Sequence, residues 1–159
     1  MGYSTDFSGS FQLDRPLDPD TLALLRGLSS TRRMKRQGLG AEFGEEGEFY
    51  YNPKSSDHGQ EREESVLDYN SPPASQPSLW CHWVPLGDGR GIEWDGGEKF
   101  YSYVEWIEYL IEKVLAPRGY LLNGEVEWSG EDSDDRGLIS IMGNVVTVLR
   151  GRIVYEVEP

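Results

Sequence analysis

An amphipathic helix surrounded by strand-like segments is the feature that most constrains the fold of this chain. Seven apolar residues recur at helical spacing and share one face. They are Phe100, Tyr103, Val104, Ile107, Leu110, Ile111 and Val114. Pro117 ends this helix, because proline lacks the N–H that an interior helical residue donates. A helix with one apolar face must bury that face against a second layer, and the strand segments can supply it.

Strand-like runs precede and follow this helix. Alternating, β-branched or aromatic residues predict strands at 3–13, 43–51, 79–84, 91–94, 120–128, 138–142, 145–149 and 153–157. Tight turns are predicted at 87–89, 143–144 and 150–151, each of which contains glycine. The last four runs therefore predict a β-meander in the C-terminal part of the chain.

A second helix is predicted nearer the N-terminus. Asp18 is a favourable N-cap residue and Pro19 suits the first helical position. Leu22, Leu25 and Leu28 then form an apolar stripe on one side of this helix.

The order of these elements predicts the fold class and the domain organisation. The order β-α-β-β-β-α-β-β-β-β indicates an α+β fold, a two-layer sandwich of a mainly antiparallel sheet with two helices and a C-terminal β-meander. A ferredoxin-like core is one candidate topology. We expect a single domain over residues 1–159. Residues 52–78, rich in proline, serine and charge, are predicted to form a polar insertion, either functional or flexible.

The chain is strongly acidic, which bears on its partners. Its 28 acidic and 15 basic residues give a formal net charge of −13. Such a surface repels nucleic acid and anionic membranes, so we expect neither as a partner. A single cysteine, no apolar run of membrane-spanning length and no leader-like N-terminus together predict a cytoplasmic protein.

A short basic cluster runs against this overall charge. Four basic residues lie within five positions and are Arg32, Arg33, Lys35 and Arg36. The cluster would suit docking of a phosphate, a nucleic acid or an acidic peptide. Alternatively, it follows the first helix and pairs with the many acidic residues of 42–68. The second interpretation is favoured.

The acidic run 131–135 and the glutamates before it are the candidate metal or acid–base groups. Hard cations take oxygen ligands, but this run lacks the glycine and the distal glutamate of an EF-hand loop. A solvated turn is favoured, and no metal or cofactor is predicted. Glu125 and Glu127 share a strand face about 7 Å apart at Cα. Two-carboxylate chemistry would suit that spacing, but the polar face of a half-solvated strand is favoured.

Cys81 and His82 are neighbours in a predicted strand. Their side chains point to opposite faces, so they cannot form a local nucleophile–base pair. His82 beside an acidic residue from elsewhere could titrate, but a histidine packed within the strand is favoured.

The sequence also indicates where a pocket would lie. Any pocket is expected where Trp94 and Asp95 meet Trp128 and the acidic run, although most of the tryptophans are expected in the core. In this part of the chain the candidate site residues are Trp94, Asp95, Glu98, Glu125, Trp128, Glu131, Asp135 and Arg136. Arg32 and Arg136 are the candidate anion-binding groups.

Two parts of the sequence resemble known sequences. The opening MGYSTDFSGSFQLDRPL, together with IEWDGGEKFYSYVEWIEYLI and GYLLNGEVEWSGEDSDDRGLI, resembles a set of small uncharacterised proteins of bacteria and their phages. The resemblance covers the N-terminal strand and about half of the C-terminal portion, and it leaves out the polar insertion. It implies a self-contained bacterial or phage domain, and it implies no catalytic residue.

Two hypotheses of function emerge from the sequence. The first is a non-enzymatic protein-interaction module, such as a phage- or immunity-type inhibitor of a basic partner. The net charge and the lack of a nucleophile–base or metal motif favour it. The alternative is a small ligand-binding domain or enzyme that uses carboxylates near Asp95, Glu125 and Glu131.

Overall fold

The computed structural model describes residues 2–52 and 63–159 of the chain. The helices and strands of this part are β1 Thr5–Leu13, α1 Pro19–Ser30, β2 Lys35–Arg36, β3 Val66–Asp68, β4 Trp83–Pro85, β5 Gly91–Trp94, α2 Tyr103–Leu110, β6 Leu122–Gly130, β7 Arg136–Met142 and β8 Val145–Arg150. Six strands form one antiparallel sheet in the order β4-β5-β1-β6-β7-β8, and β2 pairs with β3 separately. The predicted α+β sandwich is confirmed.

The centre of the sheet interleaves two β-α-β units. Helix α1 lies between β1 and β4 in the chain, and β5 separates these two strands in the sheet. Helix α2 connects β5 with β6, and β1 separates that pair. This order is compatible with the ferredoxin-like core, which stays a prediction. Strands β7 and β8 then extend the sheet as a meander.

One face of the sheet carries the hydrophobic core. Phe11, Ile92, Val126 and Ile139 come from four neighbouring strands, and each is 0% exposed. Helix α2 covers this face with Trp106, which is also fully buried. Trp106 is therefore a core residue. The large apolar area that these side chains remove from water is what holds the two layers together.

Helix α1 begins as the sequence predicts. The Asp18 carboxylate accepts hydrogen bonds from the Thr21 N–H at 2.8 Å and from the Tyr120 hydroxyl at 2.8 Å. These bonds lower the pKa of Asp18 to about 2, and the bond from the Thr21 N–H has the largest effect. One side chain thus caps α1 and ties it to the residues that precede β6.

Helix α2 is shorter than its apolar pattern suggests. It begins at Tyr103, and Phe100 lies in the preceding loop, where it is buried. After Leu110 the chain continues through a π-helical turn, Ile111–Leu115, and a 3-10 turn, Ala116–Arg118. Gly119 ends the helical region in a left-handed conformation, with φ 80°.

Two of the predicted strands are wrong, and a third begins late. Residues 43–51 form turns, because Gly44 and Gly47 take positive φ values of 84° and 77° that interrupt an extended strand. Residues 153–157 are not in a strand, since β7 begins at Arg136 and offers them no neighbour. The run 79–84 becomes a strand only at Trp83.

Part of the predicted insertion lies within the described residues. Residues 53–62 lie outside the described residues. The remainder contains β3, and it buries Pro73 and Gln76 against the rest of the domain. Within the described ranges, no helix combines the length and the apolar character needed to cross a membrane.

The cap of α1 predicts an acid-sensitive step in stability. The pKa of Asp18 is lower in the folded protein than its ordinary 3.8, so the ionised carboxylate stabilises the fold above about pH 4. This contribution is lost as the pH falls toward 2. We expect Asp18→Asn to flatten the fall in melting temperature between these pH values. The exposed Asp20→Asn variant serves as the control, and an unchanged acid profile in Asp18→Asn would contradict the prediction.

Candidate functional site

A cleft of about 740 Å³ lies between two loop segments of the domain. Residues of 70–82 and 95–101 line it, together with Ser29 of α1. This volume is in the range of ligand-binding pockets. The larger apolar side chains of its wall are Pro72, Pro77, Leu79, Trp80 and Tyr101. The ionisable residues that line it are His82, Asp95, Glu98 and Lys99.

A buried arginine positions the first of these loops. Arg33 is 1% exposed, and its backbone N–H donates to the Leu79 carbonyl at 2.8 Å. Its guanidinium donates to the carbonyl oxygens of Gly47 and Glu48 and to the Gln76 side chain. Burial lowers the pKa of Arg33 to about 10, so the group is still charged at neutral pH. Arg33 therefore joins three segments that are distant in sequence.

The same network continues into α2. The Gln76 amide donates to the Glu48 carbonyl at 2.6 Å and to the Tyr109 hydroxyl at 2.9 Å. Two residues later, the Ser78 hydroxyl accepts a bond from the Trp106 indole at 2.7 Å. The loop 70–80 is thereby fixed to a helix of the core, which gives the cleft a rigid wall.

The rest of the basic cluster also contacts the chain itself. Arg36 donates to Glu63 at 2.6 Å and stacks over the Tyr50 ring at 4.2 Å. Arg32 stacks over Tyr69 at 4.1 Å, and Lys35 lies 3.9 Å from a carboxylate oxygen of Glu46. None of these four basic residues lines the cleft. Arg36 and Lys35 thus pair with acidic residues of the chain itself, which is the arrangement favoured in the sequence analysis.

A histidine–aspartate pair lies on the cleft. The Nδ1 atom of His82 is 3.0 Å from each carboxylate oxygen of Asp95. The Gly97 N–H donates to the same carboxylate at 2.7 Å, and the His82 ring packs edge-on against Phe100 at 5.0 Å. Asp95 thus orients the imidazole through Nδ1. In the described ranges Nε2 has no hydrogen-bond partner.

The sequence analysis missed this pair, although a signal for it was present. The β4–β5 hairpin places Trp83 opposite Trp94. The same register places His82 opposite Asp95, whose N–H donates to the His82 carbonyl at 2.9 Å. Counting outward from the predicted turn at 87–89 would have brought the two side chains together. Cys81 points the other way and is buried, and burial raises the pKa of its thiol to about 12.

The second wall of the cleft contains unusual backbone conformations. Lys99 and Ser102 have positive φ values of 61° and 57°, which side-chain-bearing residues rarely adopt. They flank Phe100, which is buried among aromatic rings that include Trp83 at 5.3 Å. Anchoring of this ring in the core accounts for the strained loop on either side of it.

Aromatic rings pack between Trp94 and Trp128, the residues that were predicted to meet at a pocket. Phe7 packs against Trp94 at 5.3 Å and against Tyr103 at 5.0 Å, and Tyr103 packs against Trp128 at 5.8 Å. Of the residues predicted to meet there, Asp95 lines the cleft and Trp128 does not.

The acidic run forms a turn rather than part of the cleft. Asp135 accepts hydrogen bonds from the Trp128 indole at 2.9 Å and from the Tyr3 hydroxyl at 2.7 Å, so its carboxylate is used within the fold. Arg136 donates to the Ser133 carbonyl, and Glu131 and Glu125 are exposed. Across residues 2–52 and 63–159, no group of three His, Cys, Asp or Glu side chains is placed to hold a metal ion.

No family model, no curated protein and no solved structure matches this chain.

Removal of the buried arginine should destabilise the domain. Arg33→Ala leaves the Gly47 carbonyl and the Gln76 side-chain oxygen without this donor, and it removes one of the two donors to the Glu48 carbonyl. We expect a loss of about 2–5 kcal/mol in the free energy of unfolding, measured by urea denaturation. The exposed Arg26→Ala variant should change it by less than about 0.5 kcal/mol. Equal effects of the two substitutions would refute this role of Arg33.

The strained loop predicts that substitution by glycine has opposite effects on stability at two lysines. Lys99→Gly removes the steric cost of a positive φ, so we expect no loss of stability, or a gain of up to about 1 kcal/mol. Lys113→Gly, in the helical turn after α2, should cost about 1 kcal/mol. Urea denaturation of both variants tests the difference. A Lys99→Gly variant as unstable as Lys113→Gly would show that the loop is not strained.

Proposed function

We propose that this protein is a non-enzymatic interaction module, and that its cleft receives a basic and partly aliphatic segment of a protein partner. The observation that carries the proposal is the combination of apolar walls and carboxylates in one cleft of about 740 Å³. A lysine or arginine side chain has a matching structure, since an alkyl stem carries its charged head.

The walls suit the stem of such a side chain. Trp80 and Tyr101 line the cleft, and Tyr101 is 49% exposed although it is a large aromatic residue. Aromatic faces bind alkyl groups by contact and attract cations through their quadrupole. Because the Arg33–Gln76 network holds the loop that carries Trp80, little ordering would be needed on binding.

The charges suit the head of such a side chain. Asp95 and Glu98 line the cleft beside Lys99. The Asp95 carboxylate is already in contact with His82, which leaves Glu98 as the better placed acceptor for an added cation. The net charge of −13 would further steer a basic partner toward the protein over long range.

The polar groups of the cleft favour binding over covalent catalysis. The Ser78 hydroxyl accepts from Trp106, and the Ser29 hydroxyl donates to carbonyl oxygens of its own helix. The Cys81 thiol is buried, and it contacts the Trp83 carbonyl at 3.7 Å. In the described ranges, therefore, no hydroxyl or thiol is paired with His82 in the way that an activated nucleophile requires.

An inhibitor of a basic host protein, acting in the cytoplasm, is one concrete form of this proposal. It combines the cleft with the resemblance to small bacterial and phage proteins described above. The resemblance supports the setting, and the geometry of the cleft supports the kind of partner.

The test is selection from an immobilised peptide library in which basic, acidic and neutral sequences are equally represented. We expect the protein to enrich peptides with lysine or arginine beside an apolar residue, and added salt to weaken their binding. Trp80→Ala should weaken the best peptide about tenfold or more, and Glu98→Gln about three- to tenfold, in a fluorescence titration.

The matched control is Glu131→Gln, which removes an exposed carboxylate outside the cleft. It should bind as the unaltered protein does, and all three variants should keep their melting temperature. Lack of basic enrichment, or equal effects of Glu98→Gln and Glu131→Gln, would contradict the proposed mode of binding.

The His82–Asp95 pair supports a second candidate, general acid–base catalysis on a ligand in the cleft. Its two 3.0 Å contacts hold the imidazole with Nε2 available, as a catalytic histidine requires. The variant His82→Gln separates the candidates. A binding module would retain peptide affinity within a few fold, whereas an acid–base enzyme would bind its ligand and lose turnover.

A further inference from the structure

The two edges of the six-stranded sheet differ in how they are protected. β4 is three residues long, ends in Pro85 and packs against α1. A short edge strand with proline resists pairing with another strand. β8, at the other edge, contains six residues and no proline. All of them are exposed except Val146, which is partly buried. Its outer backbone groups are open to a further strand.

On the face that the helices leave uncovered, this edge carries two apolar pairs with the polar Ser140–Thr147 pair between them. Leu138 pairs with Leu149, and Met142 pairs with Val145, across the β7–β8 hairpin. Met142, Val145 and Leu149 are 78%, 67% and 50% exposed. The same face of β6 is polar, with Glu125 and Glu127. An apolar patch confined to one sheet edge is typical of an interaction surface.

The segment that follows β8 has the sequence of a strand but no partner in the domain. Residues 153, 155 and 157 are isoleucine, tyrosine and valine, the alternation that predicts a strand. Tyr155 and Val157 are nevertheless 91% and 96% exposed. The Gly151 N–H donates to the Arg136 carbonyl, and no hydrogen bond or ion pair joins residues 152–159 to the described part of the chain.

We infer that this segment pairs with the same segment of a second copy of the chain, in an antiparallel arrangement centred on Val154. Two-fold symmetry about this residue places Arg152 opposite Glu156 and Arg150 opposite Glu158. Each pair occurs twice, and no like charges face each other. Directly opposed residues of antiparallel strands are close enough for such pairs to stabilise the ladder.

The charges select this register over its neighbours. Centring the pairing on residue 153 sets Arg152 opposite Val154, and centring it on 155 sets Glu156 opposite Val154. The register about 154 instead sets both Arg150 and Arg152 opposite glutamates. It also sets Ile153 opposite Tyr155 on one face of the ribbon, whereas the charged pairs lie on the other face, on either side of Val154.

Pairing with a second copy explains why a segment with a strand-like sequence forms no strand within the domain. A strand forms only where another strand accepts and donates its backbone hydrogen bonds, and β7 does not extend beside residues 152–158. A second copy supplies the missing partner. Since none of these residues lines the cleft, the dimer and the proposed binding function are independent.

Sedimentation velocity of the 159-residue chain over a wide concentration range tests the inference. We expect a reversible species of twice the 18.0 kDa mass of one chain. Arg152→Glu replaces two attractive pairs by two glutamate–glutamate contacts and should raise the dissociation constant about tenfold or more. The double variant Arg152→Glu/Glu156→Arg should restore dimer formation.

Cysteine cross-linking tests the register directly. Val154→Cys places two thiols on the two-fold axis and should form a disulfide-linked dimer under mild oxidation. Ile153→Cys, one position away, should not, because its neighbour across the ribbon is Tyr155. The buried Cys81 does not interfere.

These substitutions lie in a segment without internal contacts, so the fold should be retained, which circular dichroism checks. A chain that stays monomeric at every concentration would overturn the inference. So would a dimer that Arg152→Glu leaves unchanged, or a double variant that fails to recover it. Trp80→Ala should dimerise normally, which separates this result from failure of the cleft proposal.

Discussion

The buried guanidinium of Arg33 is the interaction on which the surroundings of the cleft depend. A charge in the interior is costly unless polar groups surround it. Through Nε and Nη2, Arg33 donates to Gln76 and to the Gly47 and Glu48 carbonyls, which come from two separate loops, while its buried Nη1 has no hydrogen-bond partner among the described residues. These loops have no strand or α-helix of their own at those positions. The need to solvate one cation thus gives order to segments whose polar composition alone would leave them loose.

This arrangement explains why the cleft lies where it does. The loop fixed by Arg33 forms one wall, and the strained loop around Phe100 forms the other. His82 and Asp95 lie together on the cleft because the β4–β5 register makes them neighbours across the hairpin. In the sheet, β8 lies at the opposite edge from β4, and no described strand pairs with its outer side. The cleft and the segment after β8 do not overlap, so the proposed partner protein and the inferred second copy would bind at different places.

Much of the fold could be predicted from local patterns. The cap at Asp18 and the proline after it place the start of α1, and the turn at 87–89 places the β4–β5 hairpin. The segment 43–51 was wrong because its apolar residues suggested a strand, while its two glycines take conformations that a strand does not use. The packing of Phe7 against Trp94 could not be read from local patterns, because Phe7 is far away in sequence and is positioned by the pairing of β1 with β6. His82 was considered beside an acidic residue that was not identified, although Asp95 lies one register step beyond the Trp83–Trp94 pair of the predicted hairpin.

The sequence by itself determined the fold class, the start of α1 and the net charge, because periodicity, caps and charge act over a few residues or over the whole chain. Only the tertiary structure decided which of the many carboxylates matter. It put Asp135 within hydrogen-bond distance of Trp128 and Tyr3, Asp95 beside His82, and left Glu125 and Glu131 in water. The physical reason is that a carboxylate acquires a role from the donors around it, and those donors come from strands and loops that are remote in the chain.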